Sequence, residues 1–171
     1  MSGFNEAYER RLEEELRLMK ELRDQSTRFD FTVYGVPPSR YEVIFRCRGL
    51  VSLAGDQPQF SEEHRAEIII HDVGPLSEDS LEIRWHTDIL HPNIDKEHGP
   101  CIKGTPLGAE IRIATICEFL AEMIQYGRFN AYNHWNAPLS VVAARWVLEH
   151  PDAVPLDRTP LRNNIKTSVI K

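Results

Sequence analysis

Residues 41–48 read Tyr-Glu-Val-Ile-Phe-Arg-Cys-Arg. Tyr41, Val43, Phe45 and Cys47 alternate with Glu42, Ile44, Arg46 and Arg48, and period two marks a half-buried strand. The same alternation precedes this stretch at Phe29, Phe31 and Val33, with a turn at Gly35-Val36-Pro37-Pro38. Beyond a loop at Gly55-Asp56-Gln57-Pro58 it returns in the isoleucine-rich run Ala66 to His71. After Gly74-Pro75, Leu81, Ile83 and Trp85 face one way while Glu82, Arg84 and His86 face the other. Four successive strands joined by short turns predict an antiparallel meander.

Helices flank the meander. Over residues 5–25, Tyr8, Leu12, Leu16, Met19 and Leu22 recur at steps of three and four, with Asn5 as the expected cap. Charges fill the other faces and read as a solvated surface. Thr115 and Glu118 have capping-box spacing, and Ile116, Cys117, Leu120, Met123 and Ile124 supply an apolar helix face. Pro138-Leu139-Ser140 opens a last helix, with Leu139, Val142, Ala143 and Trp146 expected inward and His150-Pro151 as its end. From Asp152 the periodicity fades, so residues 151–171 are expected to be a loosely packed extension. The predicted class is α+β: a helix, four strands, an irregular segment, then helices. Strand–helix alternation and phosphate-binding glycine motifs are absent.

The chain has 171 residues, 42% apolar and 27% charged, with a formal charge of −6. This balance fits one globular domain. A mildly acidic chain is a poor non-specific nucleic-acid binder, and no apolar run is long enough to span a membrane. The N-terminus lacks an apolar signal region, so a cytoplasmic protein is expected. Three cysteines without a CxxC pair predict neither a disulfide framework nor a structural zinc site, and fit a reducing compartment.

Cys47 falls on a strand and Cys117 on a helix face, and both read as core residues. Cys101 instead lies in an irregular stretch rich in proline and glycine, which holds His91-Pro92-Asn93-Ile94 and Gly99-Pro100-Cys101-Ile102. A cysteine in such a loop points to thiol chemistry. Pro92 and Pro100 stiffen the loop. Gly99 permits close backbone approach, and the Asn93 carboxamide is suited to bracing a turn or donating to an oxyanion.

These residues resemble the active-site segment of ubiquitin-conjugating enzymes: His-Pro-Asn-Ile, then Cys-Ile eight residues after the Asn. The order of elements matches as well, including Leu18–Leu22, Thr115-Ile116 and Pro138-Leu139, over roughly residues 7 to 150. The resemblance implies a catalytic domain at 1–150. Cys101 would accept the C-terminal acyl group of a ubiquitin-like protein from an activating enzyme. It would pass that group to an amine on a target protein, or to a ligase. Asn93 would brace the loop, stabilise the oxyanion, or both. His91, Pro92 and Gly99 would shape the loop. Arg10, Arg11 and Arg17 would dock the activating enzyme. No cofactor is implied. The stretch from Tyr41 to Leu50 resembles bacterial ubiquitin-conjugating-like proteins found in gene clusters linked to phage defence.

This chain departs from the family at Asn136-Ala137, where relatives often place an acid before Pro-Leu to activate the incoming lysine. His98, His134 and Asn136 are the candidate accessory groups. The competing readings are an inert ubiquitin-binding scaffold, a metal site built from His86, His91, His98 and Cys101, and a thiol hydrolase using His91 or His98. A hydrolase needs its base oriented by a third group, and none is evident in the sequence.

Overall fold

The computed structural model describes residues 2–71, 80–102, 111–131 and 138–163. Helix α1 spans Ser2–Asp24, so Asn5 lies inside its first turn and is not its cap. Strands β1 (Phe29–Gly35) and β2 (Pro38–Phe45) pair antiparallel, Phe31 opposite Val43. β5 (His64–Ile70) pairs with β2, and β6 (Leu81–Trp85) pairs with β5. The sheet order is β1-β2-β5-β6, the expected four-stranded meander. Between β2 and β5 the chain extends into a separate hairpin, β3 (Gly49–Ala54) with β4 (Gln57–Ser61). The predicted loop supplies only its tip, where Gly55 takes φ +64. Helices α2 (Ile113–Ile124) and α3 (Val141–Glu149) follow. Among the described residues no helix is long and apolar enough to cross a membrane.

The inward face of the sheet carries the residues that the alternation selected. Phe29, Phe31, Tyr41, Val43, Phe45, Ala66, Ile68, Ile70 and Trp85 meet Leu12, Met19 and Leu22 of α1 and the apolar face of α2. Tilted aromatic pairs such as Phe29–Phe45, 5.7 Å apart, lie within it. Cys47 and Cys117 are both buried here, and burial pushes the Cys47 thiol up to about 12. On the outward face an ion-pair ladder crosses three strands: Arg40 and Arg84 both donate to Glu67, and Arg84 also donates to Glu82.

The start of α2 differs from the capping-box reading. The helix begins at Ile113, ahead of Thr115, and its N-cap residue Arg112 makes no side-chain cap bond. The cap comes from α1. The fully buried Glu15 carboxylate accepts from the Ile113 backbone N–H at 2.9 Å and from the Arg112 guanidinium at 3.1 Å. The stripe of α1 thus holds a carboxylate among its hydrophobes.

In α3 the Ser140 hydroxyl accepts from Ala143 N–H and caps the helix. Its buried face is Ala143, Ala144, Trp146 and Val147, so Val142, expected inward, is exposed. The shift seats Trp146 and Val147 against Leu50 and Tyr126 in a second small core. Residues 152–163 are anchored despite their weak periodicity. Leu161 enters the main core, Arg162 pairs with Glu118, and Arg28 donates to the carbonyls of Thr159 and Pro160.

Candidate active site

The segment expected to be irregular contains a minimal hairpin. β7 (Ile94–Asp95) pairs with β8 (Gly99–Pro100), Ile94 opposite Pro100 and Asp95 opposite Gly99. The ladder continues one step, because Cys101 N–H donates to the Asn93 carbonyl at 2.8 Å. Asn93 and Cys101 are therefore cross-strand neighbours, which their spacing of eight encodes. Of the three cysteines only Cys101 is not buried.

Gly99 locks this hairpin to the sheet. Its φ is +72, and a Cβ there would lie 2.2 Å from the Ile83 carbonyl oxygen. Gly99→Ala combines left-handed strain with a backbone clash, and is expected to destabilise the protein by about 2 kcal/mol or more. Urea unfolding checks this, and an unchanged midpoint would refute the close approach.

The Asn93 carboxamide is occupied at both ends. Its Nδ2 donates to the Asn130 carbonyl at 3.1 Å, and its Oδ1 accepts from Asn130 N–H at 2.6 Å. Thus Asn93 bridges the hairpin to the loop after α2. Donation to an oxyanion would require leaving those bonds. Pro92 is buried, and its carbonyl accepts from Ser140 N–H, tying the start of α3 to the same loop.

His91 is a structural member of the loop. It is fully buried, and its Nδ1 accepts from Asn93 N–H at 3.0 Å. Burial pushes its pKa down to about 3, offset only in part by the Met123 backbone. A neutral ring whose lone pair is already engaged is no general base. The ring packs against Tyr126 at 4.8 Å. Tyr126 holds φ 56, in the left-handed region, and donates its hydroxyl to the Leu90 carbonyl.

His98 is different. Its side chain is 61% exposed, and Nδ1 lies 3.1 Å from an Asp95 carboxylate oxygen. The Asp95 interaction raises its pKa from the ordinary value, with a smaller contribution from Glu97. Asp95 is the orienting group that was not evident in the sequence, although Asp-x-x-His is a recognisable turn pattern. Nothing local signals Asn130, which lies 37 residues from its partner. His134 and Asn136 lie outside the described residues. Of the first-helix arginines, Arg10 is exposed, whereas Arg17 is paired with Glu14 and Glu21. Arg11 is half-buried. Among the described residues no group of three or more His, Cys, Asp and Glu side chains could hold a metal ion.

The fold is UBC-like. A solved structure titled a novel ubiquitin-conjugating enzyme is similar to this chain with a TM-score of 0.58 and 17% identity, covering 84% of this chain and 87% of that one. The E2 domain of a Toxoplasma gondii ubiquitin conjugating enzyme matches with a TM-score of 0.51 and 19% identity, covering 82% and 93%. No protein-family model matches the chain. No curated protein matches it in sequence.

Proposed function

We propose that this chain is a ubiquitin-conjugating-type acyltransferase with Cys101 as its thioester-forming nucleophile. The observation that carries the reading is the placement of Cys101: a partly exposed thiol at the end of a short hairpin, directly across from Asn93. The two other thiols are buried, and burial holds them protonated. Cys101 takes the C-terminal acyl group of a ubiquitin-like protein from an activating enzyme. It then delivers that group to an amine on a target protein, or to a ligase. Transthioesterification needs alignment more than a strong base, because one thiolate displaces another across the same carbonyl carbon.

In this reading residues 1–150 form the catalytic domain and 151–171 its extension. The protein works in the cytoplasm, without a cofactor. Asn93, His91, Pro92 and Gly99 hold the nucleophile in place. Arg10, Arg11 and Arg17 meet the activating enzyme, with Arg10 the most available because Arg17 is engaged by two glutamates. The resemblance of residues 41–50 to bacterial relatives supports a place in an anti-phage conjugation cluster, which neighbouring genes for an activating enzyme and a ubiquitin-like protein would bear out.

The test is incubation with an activating enzyme, a ubiquitin-like protein and ATP. A reductant-sensitive adduct is expected, lost in Cys101→Ala and kept in Cys47→Ala. An adduct that survives in Cys101→Ala sinks the assignment. Binding of the ubiquitin-like protein without any adduct would favour the inert scaffold.

A further inference from the structure

Relatives of this fold often activate the acceptor with an acid before Pro-Leu, and the corresponding positions here are Asn136-Ala137. The hairpin itself offers a replacement. Asn93, just before β7, and Asp95 flank Ile94, which is fully buried while both of them are partly exposed, so theirs is the outward face. Cys101 pairs with Asn93 and is itself partly exposed. Asp95 is therefore a diagonal neighbour of Cys101, and such neighbours lie about 7 to 8 Å apart.

Asp95 is committed to His98. It accepts from the His98 backbone N–H at 2.6 Å, and both its carboxylate oxygens lie near Nδ1, at 3.2 and 3.1 Å. Burial pushes the Asp95 carboxyl up, but bonds from His98 and Glu97 outweigh it and hold the carboxyl below its usual range. An ionised carboxylate only accepts, so Nδ1 carries the proton. Nε2 is left as the basic nitrogen and has no partner among the described residues. The other charges of this turn are Glu97, which faces His98 electrostatically, and Lys96, which is paired with Asp88 at 2.7 Å. An exposed imidazole oriented by a carboxylate is the arrangement of a general base.

We propose that His98, positioned by Asp95, takes the proton from the amine that attacks the Cys101 thioester. This rests on the acyltransferase reading and names its missing acceptor chemistry. The amine nitrogen bonds to the thioester carbonyl carbon. The carbon–sulfur bond breaks, and its electron pair leaves on the Cys101 sulfur as thiolate. The nitrogen's proton passes to His98 Nε2 and from there to the thiolate or to solvent. Such help suits a lysine acceptor, whose pKa of about 10.4 leaves little neutral amine at neutral pH.

The test bypasses the activating enzyme. Cys101 is acylated chemically with a short peptide thioester ending in Gly-Gly. Loss of the acyl group to free lysine, and to water alone, is then followed across about pH 6 to 9 in wild type, His98→Gln and Asp95→Asn. His98→Gln is expected to lower aminolysis by about a hundredfold and to remove one inflection from the pH profile. Asp95→Asn keeps the turn acceptor but not the charge. It should move that inflection, and the His98 NMR titration, to lower pH. Three results would each overturn the proposal: His98→Gln aminolysis within about twofold of wild type, slowed hydrolysis with unchanged aminolysis, or an unmoved inflection in Asp95→Asn. The second would mark a thiol hydrolase. Failure of enzymatic loading would count against the acyltransferase reading and leave these rates as the test of His98.

Discussion

Between about pH 6 and 4.5 the protein should lose stability at up to about 2.7 kcal/mol per pH unit, before most carboxylates titrate. Two buried histidines cause this. His64 is fully buried at the start of β5. Burial pushes its pKa down to about 4, with small offsets from the Ser61 backbone and Glu63. His91 is pushed down to about 3 for the same reason. Unfolded, both would bind protons below about pH 6.5. Their folded values are depressed, so their contribution is present above that pH and is lost as pH falls towards 4 and 3. Each group accounts for about 1.4 kcal/mol per unit. By pH 4 the two together remove about 6 kcal/mol, a large share of a typical total of about 5 to 15 kcal/mol. His98 has the opposite sign, but it is exposed and adds little. The measurement is a series of urea unfolding curves between pH 7.5 and 4.5. His64→Leu should remove about half of the slope, whatever it does to the absolute stability. A flat wild-type midpoint down to about pH 5 would refute the account. Protonating His91 would also break its Nδ1 bond to Asn93 N–H, so acid should disturb the active-site loop as well as the core.

The division between what the sequence displays and what it hides follows the range of the interactions. Strands β1, β2, β5 and β6 are legible because each buries one face, and burial prints alternation on the sequence. The β3–β4 hairpin is not, because its residues pair mainly with each other and remain half-exposed along most of their length. The Cys101 site is legible as a spacing: eight residues between Asn93 and Cys101 is the separation that a short hairpin needs to place them side by side. Its supports are hidden for the same reason as the α2 cap. Asn130, Tyr126 and Ser140 reach the loop from distant elements, and no local pattern announces a partner that lies tens of residues away. The exposed Val142 shows the remaining limit. Steps of three and four define a stripe, but on a short helix of small apolar residues they do not decide which of two adjacent stripes faces inward.

Glu15→Ala is expected to destabilise the protein by about 3 kcal/mol or more, a large cost for one charge on a helix dense in charge. The reason is what the carboxylate leaves behind. In the wild type one oxygen accepts from the Ile113 N–H, an orphan donor at the first turn of α2, and the other from Arg112. Alanine strands the buried backbone donor with no acceptor, and takes from the Arg112 guanidinium its fully buried carboxylate partner. It also leaves a void between α1 and α2, and removes a negative charge from the positive end of the α2 dipole. Glu15→Gln should cost less, because its carbonyl oxygen still serves Ile113 while only the charge is lost. The surface comparison is Glu14→Ala. Glu14 pairs with Arg17 where both are largely exposed, and such pairs contribute little once solvent screens them. Urea midpoints should therefore rank Glu14→Ala nearest wild type, then Glu15→Gln, then Glu15→Ala, with similar denaturant dependence throughout. Equal midpoints for Glu14→Ala and Glu15→Ala would mean that Glu15 does not cap α2. The cap has a functional side. Glu15 ties the first turn of α2 to the helix proposed to dock the activating enzyme. Loss of the cap should then slow Cys101 loading more than global unfolding at the assay temperature accounts for.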